Sequence, residues 1–291
     1  MGQFKTVALL GLLTGLLVII GYSLYGPQGA IIGLVMAAVT NFGSWFYSDK
    51  IALQAYRAQP VTRQQAPGLY SMVERLAQKA EIPMPGVYIV PGAAANAFAT
   101  GRDPEHAAVA VTEGIVKALS PEELEGVLAH ELTHIINRDT LTQAVAATIG
   151  GAIAFLAQML QYSMLFGGSR DRNGGGANPI ALMATIFLAP MAATIIQMGI
   201  SRTREFAADA GAAKLTGNPR ALAQALQRLE ASAQRMPMQA NPAFEPLLIV
   251  NALPQQMFRS LFSTHPSTAD RVARLLEIEQ SQAASKAVSF S

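Results

Sequence analysis

Apolar residues are gathered into long uncharged runs, and the first two runs lie at the N-terminus. Residues 6–48 contain no charged side chain, and Gly26-Pro27-Gln28-Gly29 divides them into two segments. Each segment is close to the roughly 20 residues that a helix needs to cross a hydrocarbon core. Residues 1–48 are therefore predicted to form a transmembrane hairpin. A cleaved signal peptide is the competing interpretation of the first segment, but that segment is long for one and a second run follows at once.

A second pair of uncharged runs covers residues 140–169 and 173–201, separated by a glycine-rich link. Both runs are long enough to span a bilayer, which brings the predicted number of transmembrane helices to about four. The alternative is a buried hairpin inside a water-exposed domain, because both runs contain glutamine and the second contains Pro190. Polar residues and proline are tolerated in spanning helices that face other helices, so spanning is the favoured interpretation.

The two remaining stretches, 49–139 and 202–291, carry the charges, the prolines and the shorter patterns. Strands are predicted at residues 87–90 and 108–112. Ser120 precedes Pro121 and stands three residues before Glu123, which predicts a capped helix from Ser120 through His134. Later residues predict helices over 220–235 and 269–279 and a frayed tail over 280–291. The chain is thus expected to be a mainly α membrane protein with a small β-sheet.

Composition and charge exclude several classes of protein and of metal site. The chain is 51% hydrophobic and 14% charged, with a mean hydropathy of +0.29, which is too apolar for an ordinary water-exposed surface. The net charge is +2, and Lys and Arg are scattered among acids, so there is no basic stripe for nucleic acid. Because there is no cysteine, disulfides and thiolate metal ligands are excluded.

The positive charges near the apolar runs predict the orientation. Trp45-Phe46-Tyr47 followed by Asp49 and Lys50 is the order expected where a helix leaves the acyl region. One side of the membrane would hold most of the basic residues that lie close to the ends of the apolar runs: Lys5, Lys50, Arg57, Arg63, Arg138, Arg202 and Arg204. Arg170 and Arg172 would lie on the other side, which disagrees weakly with a one-sided distribution of positive charge. Basic residues favour the cytoplasm, so both charged stretches are predicted to be cytoplasmic.

The chemistry is concentrated in His130-Glu131-Leu132-Thr133-His134. Two histidines four residues apart on a helix project from one face and can bind one zinc ion. Glu131 then lies beside the open coordination position, where a carboxylate can take a proton from water and pass it to a leaving amine. The alternative is a helix whose histidines cap carbonyls or lie in the core. The pattern is rare enough to favour a zinc site.

A catalytic zinc site needs a third protein ligand, which must be His, Asp or Glu in this chain. His106 and His265 qualify by type. Glu205 is better placed, because it follows the fourth apolar run and stands one turn before Asp209. On a helix, Glu205 can reach the metal while Asp209 accepts the second ring N–H of a ligand histidine. The alternative is an exposed salt bridge between these acids and Arg202 or Arg204.

The motifs together carry a family resemblance. They are Ser120-Pro121-Glu122-Glu123-Leu124, His130-Glu131-Leu132-Thr133-His134, Ser201-Arg202-Thr203-Arg204-Glu205-Phe206-Ala207-Ala208-Asp209 and His265-Pro266-Ser267. With the two apolar pairs, they closely resemble the HtpX family of bacterial heat-shock membrane metalloproteases over nearly the whole chain. That family is related to eukaryotic prenyl-protein endopeptidases. The resemblance implies a gluzincin-like α+β catalytic domain, assembled here from residues 49–139 and 202–291.

The resemblance also implies roles for single residues. His130, His134 and Glu205 would bind one zinc ion per chain, and Glu131 would be the general base. Asn96, Ala97 and Phe98 resemble the stretch that lies beside the substrate in this family, next to an edge strand expected at residues 107–112. His265 and Arg271 resemble a late His-Pro motif and the arginine six residues after it, suited to the substrate carbonyl or its oxyanion. Without the resemblance, these segments would be interpreted as core packing and a turn.

The function implied is proteolysis of membrane proteins in quality control and stress response, at the bacterial inner membrane, with membrane-protein substrates and the lipid bilayer as partners. A noncatalytic membrane scaffold or chaperone with a structural zinc is the alternative, although such a site would not need Glu131. Cleavage within the bilayer is a third possibility, opposed by the charges that flank His130. The sequence leaves the oligomeric state open.

Overall fold

The computed structural model describes residues 2–149, 202–236, 247–249 and 266–289. Over these ranges the protein is mainly helical, with one small mixed sheet. The helices are α1 (Gly2–Phe46), α2 (Ser48–Ala55), α3 (Pro67–Lys79), α4 (Glu113–Ala118), α5 (Pro121–Ile136), α6 (Arg202–Thr216), α7 (Pro219–Arg235) and α8 (Thr268–Ser289), and residues 139–149 are also helical. The strands are β1 (Gln59–Pro60), β2 (Gly86–Val90), β3 (Ala97–Gly101) and β4 (Ala107–Thr112).

The N-terminal hairpin expected from the sequence is formed by α1. The helix is interrupted at Tyr25 (φ −137°, ψ 18°) and Gly26 (φ 62°, ψ −146°), and glycine adopts a positive φ without steric cost. Its two limbs lie side by side. The Asn41 amide of the second limb donates to the Leu10 carbonyl of the first at 3.1 Å and to the Thr14 hydroxyl at 2.9 Å. The apolar run therefore doubles back at the glycine-containing turn.

Glycines let the two limbs approach closely near that turn. A Cβ added at Gly21 would overlap the carbonyl of Gly29 on the other limb, as in other closely packed membrane helices. Among the described residues, Tyr25–Phe46 is the one helical stretch long and apolar enough to cross a membrane, and Thr6–Ile19 is apolar but shorter. The predicted pair over residues 140–201 lies outside the described residues except for 140–149, so the number of four spans stays a prediction.

Residues 139–149 continue from the end of α5 to the first limb of α1. The Thr6 and Thr142 hydroxyl oxygens are 3.0 Å apart. An apolar cluster joins the two elements through Leu9, Leu13, Val145, Ala146 and Ile149. The chain that leaves the His130 helix is thus packed directly on the apolar hairpin.

The sheet has the strand order β1-β2-β4-β3. β2 pairs with β4 in parallel, and β1 and β3 are antiparallel to their neighbours. The strands predicted at residues 87–90 and 108–112 are confirmed as β2 and β4. The prediction that residues 107–112 form an edge strand was wrong, because β4 lies between β2 and β3. The chain turns back at Pro104–His106, so β3 occupies the far side of β4 and is the edge.

α5 lies in the middle of the main hydrophobic core. Its predicted start is confirmed: the Ser120 hydroxyl accepts from the Glu123 N–H (3.3 Å), and the Glu123 carboxylate accepts from the Ser120 N–H (2.9 Å). Gly126 allows α7 to pack closely, since a Cβ there would lie 3.1 Å from Leu222 Cα. The core joins both charged stretches through Val73, Leu76, Val109, Leu128, Leu132, Ala212, Leu226 and Leu275. Burial of these side chains fixes α5 between the sheet and helices α6 and α7.

The C-terminal helices agree with the sequence except at the tail. The predicted helix over 220–235 is confirmed as α7. The predicted frayed tail over 280–291 was wrong for most of its length, because α8 continues to Ser289. These residues contain neither glycine nor proline and include alanine, glutamine and lysine, which favour helix. Arg220 of α7 also binds Glu279 through two hydrogen bonds of 2.8 Å.

Candidate metal centre

His130 and His134 lie one turn apart on α5 and face the same buried position. Their exposed fractions are 1% and 4%, and their Nε2 atoms are 3.2 Å apart. The rings are nearly perpendicular, at an interplanar angle of 89°. Two buried imidazoles with their Nε2 atoms facing each other are arranged as ligands of one cation.

Glu205 of α6 completes a three-residue cluster. Its carboxylate oxygens lie 3.4 Å from His134 Nε2 and 3.8 Å from His130 Nε2. One donor atom from each of the three residues lies within 4.8 Å of the others, and all three side chains are buried. The structure thus brings together the three residues that the sequence predicts as metal ligands.

Asp209 lies one turn beyond Glu205 and contacts the other nitrogen of His130. The distance from His130 Nδ1 to Asp209 Oδ1 is 2.9 Å. A carboxylate at Nδ1 places the proton there and leaves Nε2 with a lone pair for a metal. Burial and the charge of Arg271 lower the pKa of His130 to about 4, against the opposing effect of Asp209. His130 is therefore held in the neutral form that a metal ligand requires.

Arg271 of α8 is buried and holds Asp209 with two hydrogen bonds. Its Nε and Nη2 atoms donate to the two carboxylate oxygens at 2.9 Å and 2.7 Å. Burial alone would raise the pKa of Asp209, but the charge and hydrogen bonds of Arg271 lower it to about 2. Nη2 also lies 3.3 Å from His130 Nδ1, and Nη1 donates to the carbonyl of Ile249 at 3.1 Å. His265, with which the sequence pairs Arg271, lies outside the described residues.

Asp139 is the partner of His134, a role that was not predicted from the sequence. The distance from His134 Nδ1 to Asp139 Oδ2 is 3.2 Å, and Arg204 Nε lies 3.5 Å from Asp139 Oδ1. The feature of the sequence that could have indicated this role is the position of Asp139 just past the end of α5. In the structure, Arg138 has a φ of 56° and turns the chain there. Burial lowers the pKa of His134, but Asp139, Glu205 and Glu131 outweigh that effect and raise it. A histidine that binds a metal must be neutral, so a bound cation would oppose this shift.

Glu131 lies beside the cluster without belonging to it. The side chain is 2% exposed, and its carboxylate lies near the Ala99 N–H of β3, which favours the ionised form. Burial raises the pKa of Glu131 to about 7, with the charge of Glu205 adding to the effect and His134 opposing it. A carboxyl group with a pKa near neutrality can both accept and donate a proton.

The predicted substrate stretch forms the start of the edge strand. The Asn96 side-chain oxygen accepts from the N–H groups of Ala97 (3.0 Å) and Ile249 (3.1 Å). The Phe98 ring packs in a second apolar cluster, with its centroid 5.0 Å from that of Tyr56. The Asn96 carbonyl accepts from the Thr112 N–H at the end of β4. Because alternate residues of an antiparallel strand bond to the same neighbour, the main-chain groups of Ala97 and Ala99 point away from β4.

The structure also tests two alternatives from the sequence: His106 as a metal ligand, and an exposed salt bridge for Glu205 and Asp209. His106 is half exposed and bonded to Asp103, with Nδ1 and Oδ1 2.6 Å apart, so it belongs to a surface pair rather than to the cluster. The Arg204 side chain lies beside Asp139, whereas Glu205 and Asp209 are 1% exposed. An exposed salt bridge does not account for these two acids.

The donor set fits zinc. Ligands at the usual zinc distances in a tetrahedral site lie about 3.3 to 3.4 Å from one another, and the two closest pairs here are separated by 3.2 Å and 3.4 Å. Two nitrogens and one carboxylate oxygen also leave a fourth position open, as catalytic zinc sites do. His130, His134 and Glu205 can hold the ion with little rearrangement.

Replacing Asp139 with Ala is expected to weaken zinc binding by roughly 10- to 100-fold, because His134 would lose the carboxylate that orients its ring. Zinc affinity can be measured by competition with a coloured chelator. Asp103→Ala is the matched control, since it breaks the His–Asp pair at the surface. Equal affinities in both variants and the wild type would mean that Asp139 does not position His134.

Comparisons with known proteins agree with this geometry. Residues 63–279 match Peptidase family M48. The chain is 67% identical over 281 residues to the protein named Protease HtpX homolog of Trichormus variabilis, covering 96% of this chain and 97% of that one. It is 50% identical over 282 residues to the protein of the same name in Persephonella marina, covering 96% and 98%.

A solved structure shares the fold. The crystal structure of S. mikatae Ste24p matches with a TM-score of 0.53 and 21% sequence identity, covering 94% of this chain and 64% of that one. The family resemblance expected from the motifs is confirmed by the high identities along almost the whole chain. The chain belongs to peptidase family M48 and is a metalloprotease.

Proposed function

We propose that this metalloprotease is a zinc endopeptidase anchored in a membrane, in which Glu131 is the general base for hydrolysis of peptide bonds. The observation that carries the proposal is the position of Glu131. Its buried carboxylate is close enough to His134 and Glu205 of the cluster, and to Ala99 of the edge strand β3, for all three to affect its pKa. An extended peptide added to that edge would pass beside Glu131 and the cluster.

Each residue has a separate task in this proposal. Zinc bound to His130, His134 and Glu205 would polarise the scissile carbonyl and lower the pKa of a water molecule. Glu131 takes a proton from the attacking water and delivers it to the nitrogen of the leaving amine. Asp209 and Asp139 orient the two ligand histidines through their Nδ1 atoms. The chain thus divides binding, orientation and proton transfer among different carboxylates.

Substrate binding is assigned to the outer edge of β3. Proteins often bind extended peptides by adding them to an exposed strand through main-chain hydrogen bonds. Asn96 and Ala97 supply acceptors at this edge, and Arg271 has a guanidinium nitrogen directed at a main-chain carbonyl. We assign Arg271 to the substrate carbonyl and keep His265 as the candidate for the oxyanion. The Phe98 side chain contributes by packing the strand against Tyr56.

The α1 hairpin supports membrane proteins as substrates. Its second limb exposes large apolar side chains, among them Ile31, Val35, Val39 and Phe42, as expected for contact with lipid. The catalytic helix lies instead among acidic and basic residues, so cleavage takes place outside the hydrocarbon core. Loops and extracted ends of membrane proteins are therefore the proposed substrates. A cytoplasmic catalytic domain is proposed from the distribution of Lys and Arg, and the bacterial inner membrane is proposed from the likeness to the HtpX homologues.

Removal of the metal is expected to abolish cleavage reversibly. The purified protein in detergent should contain one zinc per chain by elemental analysis and cut an unstructured, fluorescently labelled polypeptide. A chelator should remove both properties, and stoichiometric zinc should restore them because the ligands lie close to their final positions. Cleavage that persists without metal would overturn the proposal. Zinc binding without any cleavage would favour the alternative of a membrane scaffold or chaperone with a structural zinc.

The proposed topology places both termini and α5 in the cytoplasm. A reporter enzyme that is active only in the periplasm should be inactive when fused after Ser291, whereas a cytoplasmic reporter should be active there. Fusion within residues 26–29, at the turn of the hairpin, is the matched control and should give the opposite result. An active periplasmic reporter after Ser291 would reverse the orientation.

A further inference from the structure

The main chain of Ile249 is bound on both sides beside the metal centre. Its N–H donates to the Ala97 carbonyl and to the Asn96 side-chain oxygen, each at 3.1 Å. Its carbonyl accepts from Arg271 Nη1 at 3.1 Å. The N–H and the carbonyl of Ile249 are therefore held by three groups: the Ala97 carbonyl, the Asn96 side chain and the Arg271 side chain.

These three groups are the ones that the proposed function assigns to the substrate. Ala97 offers its carbonyl on the outer edge of β3, where an added peptide would place an N–H. Arg271 is assigned to a substrate carbonyl, and it is the carbonyl of Ile249 that it binds. Ile249 thus stands where one residue of an extended substrate would stand.

The same position lies next to the reacting groups. Ala97 and Ala99 are alternate residues of one strand, roughly 6.5 to 7 Å apart on the same edge, and the Ala99 N–H lies near the Glu131 carboxylate. Arg271, which binds the Ile249 carbonyl, also lies 3.3 Å from His130. A peptide residue held as Ile249 is held would have the general base and a metal ligand as close neighbours.

The side chains of this short segment are apolar and buried. Leu247, Leu248 and Ile249 are 4%, 1% and 2% exposed. The two leucines join the cluster of Phe98 and Tyr56, and Ile249 joins the main core. The segment thus covers the start of β3, at Asn96 and Ala97.

We infer that Leu247–Ile249 is an internal substrate-like segment, which occupies the substrate edge of β3 and competes with peptides for it. The inference rests on the proposed function, because it takes its meaning from the binding of substrate at that edge. A peptide would have to displace Ile249 from Ala97, Asn96 and Arg271 before it could bind. The occupant also indicates the class of peptide that fits: an extended segment with aliphatic side chains.

The kinetic test uses the zinc-loaded full chain and a fluorogenic peptide containing Leu-Leu-Ile. Ile249→Pro removes the N–H that binds Ala97 and Asn96, whereas Ile249→Val keeps it. The proline variant is expected to lower KM by about 2- to 10-fold, the range that one net hydrogen bond contributes, with kcat nearly unchanged. The valine variant should match the wild type. An unchanged or higher KM in an Ile249→Pro protein that keeps its zinc would make the segment a fixed wall of the site and overturn the inference.

A labelling test does not depend on proline being tolerated. The chain has no cysteine, so Ile249→Cys creates a single buried thiol, which can be followed in a Glu131→Gln background that cuts the peptide far more slowly. Addition of the Leu-Leu-Ile peptide should accelerate labelling of this thiol. Leu229→Cys, also buried but on α7, should be unaffected. Labelling that slows or stays constant while labelled peptide binds would overturn the inference, whereas a wild type that cleaves nothing would overturn the proposed function instead.

Discussion

Replacing Glu131 with Gln is expected to leave one zinc ion bound per chain while reducing peptide cleavage by roughly 10²- to 10⁴-fold, the range for loss of a general base. Glutamine keeps the volume and an oxygen that can accept from the Ala99 N–H. It cannot take a proton from water. Because Glu131 is not one of the three clustered donors, the metal should stay.

Glu123→Gln is the matched control for this experiment. Glu123 is also a buried glutamate of α5, but it binds Ser120 and Arg228 at the start of the helix. Its replacement should leave both zinc content and cleavage at the wild-type level. Loss of zinc in Glu131→Gln would make Glu131 a ligand or a structural residue. Unchanged cleavage would remove its catalytic role and bring the scaffold interpretation forward.

The parts of the site that are local in sequence could be predicted from the sequence. The capping box at Ser120 and Glu123 fixes where α5 begins, and the helical period then places His130, Glu131 and His134 on neighbouring faces. The same one-turn spacing relates Glu205 to Asp209 on α6. Such relations depend on a few adjacent dihedral angles, so periodicity alone predicts them.

The approach of Glu205 to the two histidines was predicted from the motifs, but several other features of the site were missed or wrong. β3 is built from alanine, threonine and glycine beside one phenylalanine, so its strand signal is weak, and its place at the edge depends on how β2 and β4 pair. The ion pair of Arg271 with Asp209 joins α8 to α6, which lie in different parts of the sequence. Asp139 follows Arg138, whose φ is positive, so the period of α5 does not predict where its side chain lies.

Buried ion pairs explain why these distant segments are held in a single arrangement. Arg271 is 2% exposed and Asp209 is 1% exposed, and an unpaired charge at such a depth costs several kcal/mol. Each alternative docking of α8 would leave one of the two without a partner. The pair therefore stabilises the orientation of His130 at the same time as it fixes α8 against α6.

Replacing Glu205 with Ala is expected to lower zinc affinity by more than the roughly 10- to 100-fold that loss of an outer carboxylate causes. The change removes one of three donors, and cleavage should fall to background in buffer without added zinc. The metal-free protein should keep its helical content, because the main core does not include Glu205. Zinc content by elemental analysis, cleavage rate and circular dichroism on one preparation separate loss of metal from loss of fold.

Glu277→Ala is the control, since it removes an exposed glutamate from α8 and should retain one zinc per chain. Asp209→Ala provides the intermediate case: its zinc affinity should lie between those of the wild type and Glu205→Ala, because His130 keeps its Nε2 donor but loses the partner at Nδ1. A ranking of wild type above Asp209→Ala above Glu205→Ala would distinguish a ligand from the residue that orients one. Full zinc content in Glu205→Ala would place the third ligand elsewhere, and His265 would be the next candidate.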